Sequence, residues 1–147
     1  MTEEQYITAL KNNPHGIRNI SNPTEGMQLA CVEQNGMLLQ YIKNPTNQVI
    51  ETALAQSPRA IQYVDNPSDE LLISLVKQDW AVLEYIQHPS DDVVRIALDQ
   101  SGWAIRYITN PSEELQLRAV ETQYDALQYI ANPSERVQMA AVKSNYL

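Results

Sequence analysis

The side chains best suited to chemistry are few, and their spacing does not assemble them. His15, His88 and Cys31 lie in different stretches of the chain, whereas nucleophilic catalysis needs a nucleophile, a base and an orienting group within reach of one another. The acidic pairs Glu3-Glu4, Asp69-Glu70, Asp91-Asp92 and Glu113-Glu114 invite a metal or acid–base role. Adjacent residues on a helix project about 100° apart, however, and no His or Cys joins these pairs. There is no Gly-rich phosphate loop, no Cys/His metal spacing and no basic aromatic face. The expectation is a protein that is not an enzyme, with no catalytic residues, metal or cofactor.

The chain of 147 residues, 44% hydrophobic and 19% charged, is long enough to bury the core of one domain. Its single cysteine excludes an internal disulfide, and the polar Met1–Asn13 start has no apolar or Arg-rich targeting pattern. No apolar run approaches the roughly 18 residues of a membrane span. These features predict a soluble protein of the reducing cytoplasm, away from membranes. Eighteen acids against ten bases give a net charge of −8, which opposes direct binding to a phosphate backbone. A protein that imitates nucleic acid would need the same excess.

What must position any site is a repeat. Prolines at 23, 45, 67, 89, 111 and 133 follow one another every 22 residues, and a fixed short period marks a stacked-repeat architecture. Counting each unit from nine residues before its proline gives repeats 14–35, 36–57, 58–79, 80–101, 102–123 and 124–145. A half-repeat, 1–13, precedes them, and 146–147 begin a further unit. In the unit Gly102–Gln123, Ala104, Ile105 and Ile108 form one helical apolar set and Leu115, Ala119 and Val120 another. The period predicts an all-α fold of two short helices per unit, of about 8 and 10 residues, too short to be stable alone. Ser or Thr after each proline (Thr24, Thr46, Ser68, Ser90, Ser112, Ser134, with Thr2 in the same slot) suits the N-cap of the second helix. Proline ends the first helix at about Asn110 and its equivalents, and Gly36, Gly102, Pro14 and Pro58 break the chain between units.

The run Asn-Pro-Ser-Glu-Glu-Leu at 110–115 resembles the turn that opens the second helix of HEAT repeats. The short period resembles the leucine-rich repeat variant family. The segments 31–36 and 141–145, followed by an Ala/Leu-x-Tyr helix in the first case, look like short repeats of uncharacterised bacterial and phage proteins. The likeness covers nearly the whole chain. It implies a right-handed α-solenoid that binds other macromolecules, and the variant leucine-rich pattern implies a first helix that is partly 3₁₀.

Reading the units as columns separates constant positions from free ones. Column 6 holds Asn19, Tyr41, Tyr63, Tyr85, Tyr107 and Tyr129, expected to fill the grooves between layers with hydroxyls in water. Column 9 (Asn22, Asn44, Asn66, His88, Asn110, Asn132) is expected to be a structural ladder, its amides satisfying helix-end and loop groups. Acids just after the caps complement the helix dipole. The freest columns, 16, 17 and 20, lie on the outer side of the second helix and are the candidate partner surface. They include Leu29, Glu33, Glu51, Ile73, Lys77, Arg95 and Asp99, and further on Leu117, Arg118, Glu121, Met139 and Lys143. Trp80 and Trp103, near the starts of adjacent first helices, are candidate interface anchors.

The columns favour a non-catalytic interaction module or scaffold that holds a protein partner along its extended surface. Two other expectations stand beside it. One is a phage or mobile-element inhibitor of a host nucleic-acid-binding factor, working through an acidic, phosphate-mimicking face. The other is a structural repeat protein that self-associates end to end.

Overall fold

The computed structural model describes residues 1–145; Tyr146 and Leu147, the start of the further unit, lie outside the described residues. Those residues form α-helices α1 (Glu3–Asn12), α2 (Glu25–Val32), α3 (Asn47–Gln56), α4 (Asp69–Gln78), α5 (Asp91–Gln100), α6 (Glu113–Thr122) and α7 (Glu135–Asn145). Between them lie 3₁₀ helices η1 (Pro14–Asn19), η2 (Gly36–Tyr41), η3 (Pro58–Tyr63), η4 (Trp80–Tyr85), η5 (Gly102–Tyr107) and η6 (Tyr124–Tyr129). The described chain is all-α and has no strand. None of its helices is long and apolar enough to cross a membrane.

Two compact units divide the chain, Met1–Asn66 and one beginning at Pro67. In the first, α2 packs against α1 and α3 and lies between η1 and η2, while η2 touches η1 and η3. In the second, α4 to α7 pack in sequence, and η4, η5 and η6 line up against one another. Each unit is thus two-layered, one layer α and the other 3₁₀.

The first helix of each repeat is 3₁₀ throughout its six residues and ends at column 6, not at the asparagine of column 9. The next residue is already extended, as at Ile108 (φ −103°, ψ 124°). A 3₁₀ helix rises about 2.0 Å per residue against 1.5 Å for an α-helix. Six residues therefore run about 12 Å beside a ten-residue α-helix of about 15 Å, and the short segment covers most of its neighbour. Column 4 fills the space between them, with Ile17, Leu39, Leu83 and Ile105 each at most 2% exposed. Columns 18 and 19 meet it from the α-helices, where Ala53, Ala97, Ala119, Val76 and Val120 are fully buried.

The expected caps are in place. The hydroxyls of Thr2, Thr24, Thr46, Ser68, Ser90, Ser112 and Ser134 each accept a hydrogen bond from the backbone N–H three residues on. Column 22 carries a second capping role that the sequence pattern left unassigned. Asn35, Asp79 and Ser101 are extended, donate their N–H to the α-helix just ended, and accept from the N–H two residues on, at the start of the 3₁₀ helix.

Column 9 needs a different account from the expected ladder. Asn22, Asn44, Asn66, Asn110 and Asn132 all have φ between 47° and 54°, and His88 shares this with φ 51°. Among the described residues their side chains make no hydrogen bond; what the column supplies is backbone shape. Asparagine tolerates the left-handed region better than most residues, and proline at the next position disfavours the right-handed one. The pair thereby turns the chain from the 3₁₀ layer into the α layer.

The glycines of column 1 serve close approach. A Cβ on Gly36 would lie 2.1 Å from the Ala53 carbonyl oxygen, and one on Gly102 would lie 2.1 Å from that of Ala119. At Gly36 the backbone N–H also donates to Gln56 Oε1, and beside Gly102 the Ser101 hydroxyl bonds Gln123 Oε1 at 2.6 Å.

Candidate partner-binding surfaces

The columns expected to be free all lie on the α layer, and the structure sorts them. In the first unit Leu29 is half-buried, while Glu33 and Glu51 are exposed. In the second, Ile73 is half-buried and Lys77 exposed. Arg95 and Arg118 are not free. Arg95 reaches Asp92 of its own helix at 3.3 Å and Glu114 of α6 at 3.2 Å, and Arg118 reaches back to Asp99 of α5 at 2.8 Å. Two reciprocal bridges thus clip α5 to α6. Exposed pairs of this kind contribute only about 0.2–1 kcal/mol each, so they fix register more than they add stability.

The remaining members come together one layer later. Leu117 and Glu121 of α6 and Met139, Ala140 and Lys143 of α7 line an open cleft of about 700 Å³, together with Glu135, Arg136 and Ser144. Met139 is 51% exposed on its wall. The lining mixes the apolar Leu117, Met139 and Ala140 with side chains of both charge signs, and Arg136 reaches Glu113 at 3.6 Å. No group of three metal-ligating side chains lies together among the described residues.

The 3₁₀ layer of the second unit carries another surface. Trp80 is half-buried, and its ring lies 6.4 Å from that of Tyr107 at an interplanar angle of 36°. Trp103 is exposed and donates its indole N–H to Asp125 Oδ1 at 2.8 Å. Tyr63, Tyr85 and Tyr107 of the tyrosine column are half-buried and Tyr41 and Tyr129 are exposed, in keeping with a flank position. The Arg106 guanidinium lies 5.2 Å from the Tyr107 centroid and 5.3 Å from that of Tyr129. Tyr124 and Tyr129 join Trp103 among the exposed large apolar side chains.

No family model, curated protein or solved structure matches this chain. The surfaces must therefore be weighed on their own geometry. The acids after the caps divide between the helix dipole and cross-layer bonds. Thr24 donates its hydroxyl to Glu3 and Ser90 donates its hydroxyl to Asp69, each at 2.8 Å, so a cap hydroxyl of one layer is tied to the first-turn acid of the layer before. Asp92, Glu113 and Glu114 are ion-paired. In α3 the two positions after the cap are Asn47 and Gln48, which interrupts the acidic row.

Cys31 stands in column 18, where other units have alanine or leucine, and it is fully buried. Burial pushes its thiol up to about 11 from 9.0. Near neutral pH this lowers the thiolate fraction about a hundredfold, before burial blocks access as well. Native protein is expected to react with a disulfide reagent at least about a hundredfold more slowly than guanidinium-unfolded protein. Comparable rates in a timed absorbance assay would show that the layer around α2 opens readily.

Proposed function

We propose that this chain is a non-catalytic protein-interaction module of the cytoplasm. In this reading it is a right-handed α-solenoid of six two-helix repeats and an N-terminal half-repeat, and its α layer presents the partner-binding face. The observation that carries the reading is the α6–α7 cleft. It gathers Leu117, Glu121, Met139 and Lys143, which come from the columns where the repeat varies, around an exposed methionine. A flexible thioether suits an adaptable contact surface, and a volume of about 700 Å³ accommodates two or three side chains of a partner segment.

The test is quantitative capture from the native cell with the wild-type chain and Met139→Glu. The substitution lies on the solvent side of α7 and should leave the melting temperature within about 2 °C, since surface changes cost at most about 0.5 kcal/mol. A specific partner of the wild type should bind the variant at least about tenfold more weakly, the effect of burying an unpaired charge at an apolar contact. If both proteins retain the same partner equally, the cleft is not the binding site.

A further inference from the structure

We propose that the 3₁₀ surface over η5 and η6 is a separate recognition site for a protein segment presenting one carboxylate among apolar residues, with Arg106 as the anion anchor.

The starting point is column 5. Gln40, Gln62 and Gln128 occupy it in three repeats, and each folds its amide back to donate to the carbonyl of column 2 in its own 3₁₀ helix, at 3.1 Å. Arg106 holds that column in η5 and behaves differently. Its guanidinium is flanked by the rings of Tyr107 and Tyr129, and it is exposed. Among the described residues no carboxylate pairs with it, although Arg95, Arg118 and Arg136 each reach one. A guanidinium held against rings keeps its N–H groups available at the edge of its plane, where they match the two oxygens of a carboxylate.

Its neighbours supply the rest of a contact surface. With three residues per turn, Trp103 and Arg106 lie on one line of η5. The Trp103 indole is fixed by Asp125, which both orients the ring and occupies the nearby acid. Trp103, Tyr124 and Tyr129 are 38%, 48% and 38% exposed. Trp, Tyr and Arg are the residues that dominate interface energetics, and rigid aromatic rings lose little conformational entropy on contact.

Charge selects the anion. The chain carries a net charge of −8, so its field opposes a doubly charged phosphate more than a singly charged carboxylate. The segment that fits therefore carries a single acid, and the exposed rings of Trp103, Tyr124 and Tyr129 suit apolar residues on either side of it.

The probes are the blocked peptides acetyl-Leu-Pro-Glu-Pro-Leu-amide, its Gln counterpart and its phosphoserine counterpart. Binding is read by calorimetry and by the NMR shift of the Trp103 indole N–H. The Glu peptide should shift that resonance and bind about tenfold more tightly than the Gln peptide, the size of one charge-assisted hydrogen-bond pair. Arg106→Gln, which copies the residue of three other repeats, should melt like the wild type and lose the preference. Met139→Glu should leave it intact, so failure here and failure of the α6–α7 cleft are distinguishable. Equal affinity for Glu and Gln peptides, no binding of either, a preference that survives Arg106→Gln, or tighter binding of the phosphoserine peptide would each overturn the assignment.

Discussion

Gly102→Ala is expected to destabilise the second unit by about 3 kcal/mol or more, at or beyond the upper end for overpacking a well-filled site. The added Cβ would sit 2.1 Å from the Ala119 carbonyl oxygen, 3.0 Å from its carbon and 3.2 Å from the Gln123 nitrogen. All three are backbone atoms of α6 or its cap, so no side chain can swing aside. Relief requires η5 to back away from α6, which loosens the buried Ile105 and disturbs the Ser101–Gln123 bond. Pro58, Trp80 and Tyr124 show that column 1 can hold a larger residue; the tight approach belongs to the glycine repeats. Gly16→Ala is the matched control. There the new Cβ would meet only Leu10 Cδ2, at 3.6 Å, and the change should cost little. Urea unfolding of the two variants beside the wild type measures the difference, and equal midpoints would refute the packing account.

Leu83→Ala should cost about 3–4 kcal/mol, within the range for removing a buried leucine. Leu83 is 1% exposed at the centre of column 4, between the α and 3₁₀ layers, where a rigid backbone cannot close over the space left behind. Leu127 occupies the same column in η6 but is only half-buried. Leu127→Ala should therefore cost about half as much, since the loss scales with the contacts removed and the cavity left. The comparison holds residue type, column and helix type constant, leaving burial as the variable. Urea denaturation with unchanged m-values would give both numbers. Equal costs would mean that the repeat column, rather than burial, sets the energy.

Much of this architecture was legible in the chain itself. The proline period gives the unit boundaries, and the Ser/Thr slot gives the start of every α-helix, because capping is a local interaction between residues three apart. The 3₁₀ character of the first helix was implied, in part, only by the resemblance to the variant leucine-rich repeat; the pattern of Ala104, Ile105 and Ile108 does not show it, since i, i+3 and i, i+4 spacings over five residues suit either helix. The regular asparagines suggested side-chain bonding when their constant contribution is a left-handed backbone, a property of φ that leaves no partner in the sequence. The candidate surface shows a different limit of the sequence. Arg95 and Arg118 look free by column, yet their partners Glu114 and Asp99 lie 19 residues away and become neighbours only when α5 packs on α6. Met139 and Leu117 do converge on one cleft. Column 5 holds glutamine in three repeats and Arg18, Glu84 and Arg106 in the others, so sequence narrows the choice to three residues; the place of Arg106 beside two rings depends on the packing of η5 on η6.

The left-handed asparagines also bear on how the molecule ages. An asparagine deamidates when the nitrogen of the following residue attacks its side-chain carbonyl to close a five-membered imide. Asn22, Asn44, Asn66, Asn110 and Asn132 are each followed by proline, whose nitrogen carries no hydrogen to lose. The residues that shape each turn are thus closed to that route. One Asn-Gly step, Asn35-Gly36, has the most permissive sequence for it. There the glycine is buried with its N–H held by Gln56 Oε1, and Asn35 Oδ1 is held by the Met37 N–H at 3.0 Å. Packing of α3 on η2 guards the joint whose sequence is most open to slow chemical decay.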